Sequence, residues 1–188
     1  MSVRRAASGT PRMSKGRRDG VWILVALVLP IGVTASGWLG YRFNFTPSAP
    51  LGIWRIEPLE RPVAVGDLVL VCPPKTQVIA MGRERGYLRS GSCPGGHAPL
   101  IKTIAAVAGQ HADIQNHVTV DGIALPGSSP AGVDGRGRTM PLYQGGRVPS
   151  GEVFLFSSAA GSFDSRYFGP VPGSSILGLA QEVLTYEP

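Results

Sequence analysis

The sequence predicts an all-β domain preceded by one N-terminal membrane-spanning helix. After residue 42, short runs of apolar and β-branched residues bounded by Gly, Pro and Asp recur to the end of the chain, and no stretch keeps a helical period. Before them, Val21 to Leu39 form 19 residues without a charge, about the length that crosses a bilayer core. These observations predict three segments, namely a basic tail (1–20), an anchor (21–41) and an exported all-β domain (42–188).

The positive charge of the chain is concentrated in the N-terminal tail. Residues 1–20 carry six basic side chains and one acidic one, which is +5 of the total of +6. A basic tail before an apolar run keeps the tail in the cytoplasm and places the following domain outside. The charge therefore gives no support for a nucleic-acid partner. A retained anchor is favoured because the apolar run continues past the small residues Val33-Thr34-Ala35, and a signal peptide cleaved there is the alternative.

The strand predictions rest on apolar runs that end at turn residues. Asp121-Gly122 indicates a two-residue hairpin. A short helix is predicted near Val78–Glu84. Between residues 126 and 151, 11 of 26 residues are Gly or Pro, which predicts a long irregular loop of the kind that is more often functional than idle. The predicted strands are Leu68–Cys72, Leu100–Val107, Asp113–Val120, Ile123–Leu125, Glu152–Ser157 and Ile176–Leu184.

Two cysteines, Cys72 and Cys93, lie in the exported part. In an oxidising compartment an isolated pair usually forms a disulfide, and closing this loop stabilises the fold by roughly 3 kcal/mol. No histidines stand at zinc-ligand spacing near them. The three histidines, His97, His111 and His117, are scattered, so no metal site and no cofactor is predicted.

One serine, Ser48, lies between two prolines shortly after the anchor. Pro47 and Pro50 each restrict the backbone and push the preceding residue towards extended geometry. Ser48 should therefore sit in a stiff segment without a strand, which suits a nucleophile. A rigid linker leaving the membrane is the alternative interpretation of the same segment.

A single lysine, Lys102, lies within the predicted strand Leu100–Val107. Because side chains alternate along a strand, it shares a face with Leu100 and Ile104. Apolar surroundings lower the pKa of a lysine, and a neutral amine can take a proton from a serine hydroxyl. The alternative is an edge-strand lysine that stays charged at the surface.

The third element is the segment from Ser162 to Val171. On its own it predicts a polar loop in which Asp164 and Arg166 pair and Gly169-Pro170 turns the chain. Together with Ser48 and Lys102, it resembles the signal peptidase family, the membrane-anchored Ser-Lys serine proteases. Further matches in the same order are Val65–Val69, Leu100–Ile104 followed by Ala108-Gly109, and Val118–Gly122.

The resemblance implies a signal-peptidase-like β-barrel or coiled β-sheet domain and a role for each matching residue. Ser48 matches the nucleophile and Lys102 the general base, while the Thr46 hydroxyl matches a group that helps to stabilise the oxyanion. Ser162 matches a serine that orients the lysine, and Asp164 with Arg166 match a bracing pair. For Thr46 the alternative is simple turn chemistry, and for Asp164 with Arg166 it is a structural salt bridge.

The residues around Ser48 favour one branch of that family. General signal peptidases typically have Ser-Met at the nucleophile, whereas this chain has Ser48-Ala49-Pro50, with Asn44 and Thr46 ahead of it. This pattern resembles the TraF branch, the conjugative-transfer peptidases that mature pilin subunits. The turn after the lysine strand departs from the family pattern, because it reads Ala108-Gly109-Gln110 where Pro-Gly-Asp is common.

The resemblance implies a single-pass protein of a bacterial inner membrane with its catalytic domain in the periplasm. Its expected partners are the lipid bilayer, a pilin or other exported precursor as substrate, and components of a conjugative transfer or type IV secretion apparatus. The alternatives are a general signal peptidase, a self-cleaving repressor-type Ser-Lys protein, against which the anchor argues, and a non-catalytic scaffold of a transfer or secretion apparatus.

Overall fold

The fold is described from a computed structural model. It describes residues 37–159 and 161–187, together with residues 22, 24, 26, 28, 30, 32 and 34. The chain divides into two compact units, Met1–Leu39 and Gly40–Pro188.

The N-terminal unit is described only in part. Its described positions from 22 to 38 are helical. Among the described residues, no helix combines the length and the apolar character that crossing a membrane requires. The predicted basic tail (1–20) lies outside the described residues, as do many positions of the predicted anchor (21–41), so both remain predictions.

The described residues of the unit Gly40–Pro188 form mainly β-structure, with two short α-helices and one 3-10 turn (Gly173–Ser175). The helices are α1 (Gln77–Glu84) and α2 (Ser165–Phe168). The strands are β1 (Tyr41–Asn44), β2 (Leu51–Glu57), β3 (Leu68–Val71), β4 (Leu100–Val107), β5 (His111–Ile114), β6 (Val118–Val120), β7 (Ile123–Ala124), β8 (Gly146–Arg147), β9 (Glu152–Phe156), β10 (Val171–Pro172) and β11 (Ile176–Tyr186).

The strands form two antiparallel sheets. The larger has seven strands in the order β1-β2-β11-β3-β4-β9-β10, and the smaller has four in the order β7-β6-β5-β8. The C-terminal strand β11 lies inside the larger sheet, where it pairs with β2 on one side and β3 on the other. The last strand of the chain therefore joins the N-terminal hairpin β1-β2 to the strands that follow it.

Most predicted elements are present, but β8, β10 and helix α2 were not predicted, and α2 lies where the sequence predicted a polar loop over Ser162–Val171. Strand β4 has the predicted bounds, and helix α1 begins one residue before its predicted start. The prediction of one strand over Asp113–Val120 was wrong. The polar residues 115–117 turn the chain there, and β5 and β6 pair with each other across that turn. Strands β1 and β2, on either side of Ser48, were not predicted.

One glycine fixes how β2 meets β11. Gly52 has a φ of +133°, and a Cβ at this position would lie 2.1 Å from the carbonyl oxygen of Leu184. Any other residue would push the two strands apart. Because Gly52 comes two residues after Pro50, this close approach also fixes the end of the Ser48 loop.

Four groups of apolar side chains in the described residues hold the elements that carry the site, and one of them contains Trp54 of β2 and packs against Ala49 next to Ser48. Val69, Ile104 and Leu155 are fully buried members of the core of the larger sheet. Ala112, Val118 and Phe154 belong to a second core that includes residues of both sheets. The third group packs helix α1 against helix α2, and it includes Ile79, Leu88, Phe163 and Tyr167.

Cys72 and Cys93 form a disulfide, with Cα atoms 5.5 Å apart. Cys72 directly follows β3, and Cys93 lies in the segment between α1 and β4. The disulfide therefore attaches the segment between α1 and β4 to the larger sheet.

Candidate active site

Ser48 lies in the loop between β1 and β2. Residues 45–50 contain no strand, as the two prolines predicted. The Ser48 side chain is half-buried, and its backbone carbonyl accepts a hydrogen bond of 2.6 Å from the Ser157 hydroxyl. The loop is thus attached to the end of β9, at residue 157, far along the chain.

The last residue of β1, Asn44, is hydrogen-bonded to both sides of this loop. Its Oδ1 accepts bonds from the Thr46 backbone N–H at 3.0 Å and the Thr46 hydroxyl at 2.7 Å. Its Nδ2 donates to the carbonyl oxygens of Thr46 at 2.9 Å and of Ala49 and Pro50 at 3.0 Å each. Asn44 is 8% exposed, so water does not compete strongly for these bonds.

Lys102, in the middle of β4, is only 2% exposed. Burial lowers the pKa of its amine from an ordinary value of 10.5 to about 8, with Asp164 raising that pKa and Arg166 lowering it further. A substantial fraction of the amine is therefore neutral near pH 8. The Lys102 side chain is therefore buried, and the groups that interact with its amine are Ser162, Asp164 and Arg166.

A chain of hydrogen bonds orients the Lys102 amine. Lys102 Nζ donates to Ser162 Oγ at 2.6 Å, and Ser162 Oγ donates to Asp164 Oδ2 at 3.0 Å. A serine hydroxyl has a single hydrogen, and here Asp164 receives it. The lysine must therefore act as donor to Ser162, which leaves the lone pair of a neutral amine available for another proton.

Arg166 holds Asp164 in place from the other side. Its Nε and Nη2 bind the two carboxylate oxygens of Asp164 at 2.8 Å each, a bidentate ion pair. Its Nη2 also donates to the carbonyl oxygens of Ser157 and Ser162 at 3.2 Å. Asp164 in turn caps helix α2 by accepting from the backbone N–H of Arg166.

Two cavities meet at Ser48 and Lys102, which line both of them. One has a volume of about 510 Å³ and is also lined by Leu68, Ile101 and Ser157. The other has a volume of about 300 Å³ and is also lined by Phe45, Thr46, Tyr87, Leu100 and Ser162. An extended peptide could occupy both cavities with its scissile carbonyl near Ser48.

Two features of this arrangement differ from a fully assembled catalytic centre. Within the described residues, no hydrogen bond joins the Ser48 hydroxyl to Lys102 Nζ; catalytic bonds often tighten only when substrate is bound. In addition, the Thr46 hydroxyl gives its one hydrogen to Asn44 Oδ1. To donate to an oxyanion, that hydroxyl would have to rotate away from Asn44.

In the described part of the chain, no three His, Cys, Asp or Glu side chains are grouped so that they could hold a metal ion. The groups that can act chemically on a substrate are a hydroxyl, a buried amine and backbone N–H groups. They suit nucleophilic attack on a carbonyl, with a general base next to the nucleophile.

Two residues that hold the Ser48 loop had no such role predicted from the sequence: Asn44, which entered only as part of the branch pattern, and Ser157. An asparagine two residues before a turn residue is a common turn signal, so Asn44 could have been found from the sequence. No local pattern marks Ser157, because its partner lies 109 residues away in the chain.

Comparison with known proteins agrees with this chemistry. Residues 18–185 match the model of the family described as signal peptidase, peptidase S26. The chain therefore belongs to the signal peptidase family of serine peptidases.

Relatives within the family are conjugative-transfer proteins. The chain is 54% identical to the conjugal transfer protein TraF of Agrobacterium tumefaciens, over 92% of this chain and 98% of the relative. It is 52% identical to a probable conjugal transfer protein TraF of Sinorhizobium fredii, over 94% and 96% of the two chains. It is 35% identical to a plasmid transfer protein TraF of Escherichia coli, over 90% and 97%.

A solved structure of a signal peptidase I from Enterococcus faecalis is also similar. It shares 18% identity and a TM-score of 0.39, and the similarity covers 63% of this chain and 97% of that chain.

Proposed function

We propose that this protein is a membrane-anchored Ser-Lys endopeptidase that matures a pilin precursor for conjugative transfer. The observation that carries the proposal is the buried Lys102 amine, which lines the same cavities as Ser48 and is oriented by Ser162. The names of the relatives support the conjugative role, and the pilin substrate rests on the residues around Ser48.

In the proposed reaction, the neutral Lys102 amine takes the proton of the Ser48 hydroxyl as its oxygen attacks a peptide carbonyl. The negative charge that develops on the carbonyl oxygen is stabilised by the Ser48 backbone N–H, and by the Thr46 hydroxyl after it has rotated. The protonated Lys102 then gives its proton to the leaving amine as the peptide bond breaks. The product of this half-reaction is an ester between Ser48 and the substrate.

The ester is resolved by a second nucleophile. Water yields a shortened linear chain, whereas attack by the substrate's own amino terminus yields a cyclic one. In both cases Lys102 accepts a proton from the attacking group, and the Ser48 oxygen leaves with a proton. The two products differ in mass by one water.

The proposed location is the inner membrane, with residues 1–20 in the cytoplasm and the unit from Gly40 onwards in the periplasm. The charge of the tail and the apolar run Val21–Leu39 support this orientation. The disulfide between Cys72 and Cys93 fits an oxidising compartment. The proposed partners are the bilayer, the precursor and the transfer apparatus.

The test is co-expression of the full chain with a pilin precursor from its own transfer region, followed by intact-mass measurement. We expect a shortened product with the wild type and intact precursor with Ser48→Ala. Processing by Ser48→Ala would rule the proposal out.

Lys102→Arg tests the general base separately. Guanidinium keeps the positive charge but cannot give up a proton at accessible pH, so we expect activity to fall by at least about 100-fold. Lys75→Arg is the matched control. Lys75 is exposed in the described structure, so this variant should keep the full activity of the wild type. Cleavage by Lys102→Arg at the wild-type rate would exclude Lys102 as the base.

A general signal peptidase is the second candidate, favoured by the family match over residues 18–185. Such an enzyme would also process an unrelated exported preprotein in vitro. A non-catalytic scaffold would leave every precursor intact. Running both substrates with the purified full chain therefore separates the three possibilities.

A further inference from the structure

We infer that Asn44 and Ser157 are positioning residues, which hold the Ser48 backbone where its hydroxyl can attack. The inference rests on the proposed function, because it concerns the same nucleophile. Within the described residues, no hydrogen bond joins either side chain to the Lys102 amine, whose bonded partner is Ser162. Both act on the loop that carries Ser48, from opposite sides.

Asn44 closes the loop from the β1 side. Its carboxamide bonds to groups before Ser48, at Thr46, and after Ser48, at Ala49 and Pro50. Both its acceptor and its donor are needed, because Oδ1 accepts two hydrogen bonds and Nδ2 donates to three carbonyl oxygens. No other standard side chain of this size presents an acceptor and two donor hydrogens.

Ser157 holds the loop from the β9 side. Its hydroxyl donates to the Ser48 carbonyl oxygen, accepts from the Ala159 N–H at 3.3 Å, and is 9% exposed as a residue. Its backbone N–H donates to Asp164 Oδ2 at 3.2 Å, and its carbonyl oxygen accepts from Arg166. The Asp164–Arg166 pair, which orients Lys102 through Ser162, therefore also fixes the backbone of Ser157, and with it the hydroxyl that bonds to Ser48.

The nucleophile Ser48 and the base Lys102 are both connected by hydrogen bonds to the same residue, Asp164. Asp164 reaches Lys102 through Ser162 Oγ, and it reaches the Ser48 carbonyl through the backbone and hydroxyl of Ser157. A misplacement of about 1 Å can cost about 100-fold in rate. We therefore expect loss of either side chain to lower kcat while leaving substrate binding nearly unchanged.

The test uses Asn44→Asp and Ser157→Ala in the full chain. Asn44→Asp keeps an acceptor but turns the donor towards three carbonyls into a second acceptor. Ser157→Ala removes only the hydroxyl, since the bonds to Asp164 and Arg166 come from the backbone. Ser157→Thr restores a hydroxyl and is the rescue variant. Asn116→Asp and Ser150→Ala are matched controls, because both residues are exposed in the described structure.

Two measurements are made on each variant. Hydrogen–deuterium exchange of residues 45–51, without substrate, reports loop opening whether or not the protein is a peptidase. We expect exchange in this loop to speed up by at least about 10-fold in both test variants. Steady-state cleavage of the pilin precursor should show kcat about 10- to 100-fold lower with KM within about 2-fold of wild type, and Ser157→Thr should recover most of it.

Each outcome has a distinct meaning. Wild-type exchange in both test variants overturns the inference, and so does a loosened loop with unchanged kcat. Equal cleavage by the wild type and Ser48→Ala overturns the proposed function instead, while the exchange result still decides whether Asn44 and Ser157 hold the loop. A rise in KM with unchanged kcat would assign both residues to substrate binding and also overturn the inference.

Discussion

At the scale of single residues, burial decides the protonation of Lys102. Lys102, Asp164 and Arg166 are 2%, 0% and 3% exposed, so two cations and one anion share a dry site. Asp164 pairs bidentately with Arg166, which leaves no carboxylate for Lys102 alone. Burial of the amine is the largest cause of the lowered pKa of Lys102, and Asp164 opposes this effect more than Arg166 adds to it.

The first prediction concerns the pH dependence of cleavage. The base must be neutral to act, and the pKa of Lys102 is about 8. The rate should therefore rise with pH, about tenfold per pH unit below this pKa, and level off above it. The measurement is kcat/KM for precursor cleavage between pH 6 and 9.5. A rate that stays flat across pH 6 to 9 would contradict a lysine base.

At the scale of elements, the short helix α2 joins the site to the long loop 126–151. Arg166 Nη1 donates to the Ser129 carbonyl oxygen at 3.3 Å, and the Tyr143 N–H donates to the Arg166 carbonyl oxygen at 2.9 Å. The Tyr167 hydroxyl accepts from the Ala131 N–H at 3.0 Å. The Gly- and Pro-rich loop is therefore packed against the bracing pair and helps to exclude water from it.

The second prediction is that Asp164→Ala destabilises the domain by about 3–5 kcal/mol. The substitution leaves the Arg166 charge buried without its partner and removes the cap of α2. Urea unfolding followed by circular dichroism gives the free energy. Asp113→Ala is the control, because the His111–Asp113 pair is about half exposed and should contribute less than about 1 kcal/mol. Equal losses of unfolding free energy in the two variants would contradict a stabilising role for the buried Asp164–Arg166 pair.

The third prediction concerns the disulfide between Cys72 and Cys93. Breaking it frees a loop with a sequence separation of 21, which should lower the free energy of unfolding by about 3 kcal/mol. The double variant Cys72→Ser, Cys93→Ser should match the reduced wild type in urea unfolding. A reducing agent should lower the free energy of unfolding of the wild type and leave that of the double variant unchanged. If it also lowered the value for the double variant, the loss of stability would not come from the disulfide.

At the scale of the whole molecule, the larger sheet gathers site residues that are distant in sequence. Ser48 precedes β2 and Lys102 lies on β4, and between these strands stand β11 and β3. Strand β11, the last strand in the chain, follows the Ser162–Val171 segment and pairs with β2 and β3. The C-terminal strand is therefore what connects the Ser48 and Lys102 parts of the sheet.

The fourth prediction concerns the two units. The hydrogen bonds described for the site all join residues of the unit from Gly40 onwards, so the fragment 40–188 should fold with a thermal midpoint within a few degrees of the full chain. The full chain should sediment with inner membranes and resist extraction by high salt, whereas the fragment should stay in the supernatant. A full chain released by salt would contradict the proposed anchor, and an unfolded fragment would contradict an independent unit.

The sequence by itself determined the β-rich class of the domain, the bounds of strand β4, the strand-free Ser48 loop and the family. Each of these follows from local alternation, from proline geometry or from short motifs. It gave the oxyanion role to the Thr46 hydroxyl by resemblance, without the bond to Asn44 that the structure contains.

Only the tertiary structure decided how the groups are held. The Lys102–Ser162 bond spans 60 residues and the Ser157–Ser48 bond spans 109. Which atom donates each hydrogen bond, and which hydroxyl already has a bonding partner, depends on side chains that come together only in the folded sheet. Local sequence patterns restrict dihedral angles over a few residues, so the Lys102–Ser162 contact was expected only through the family resemblance and the Ser157–Ser48 contact was not expected at all.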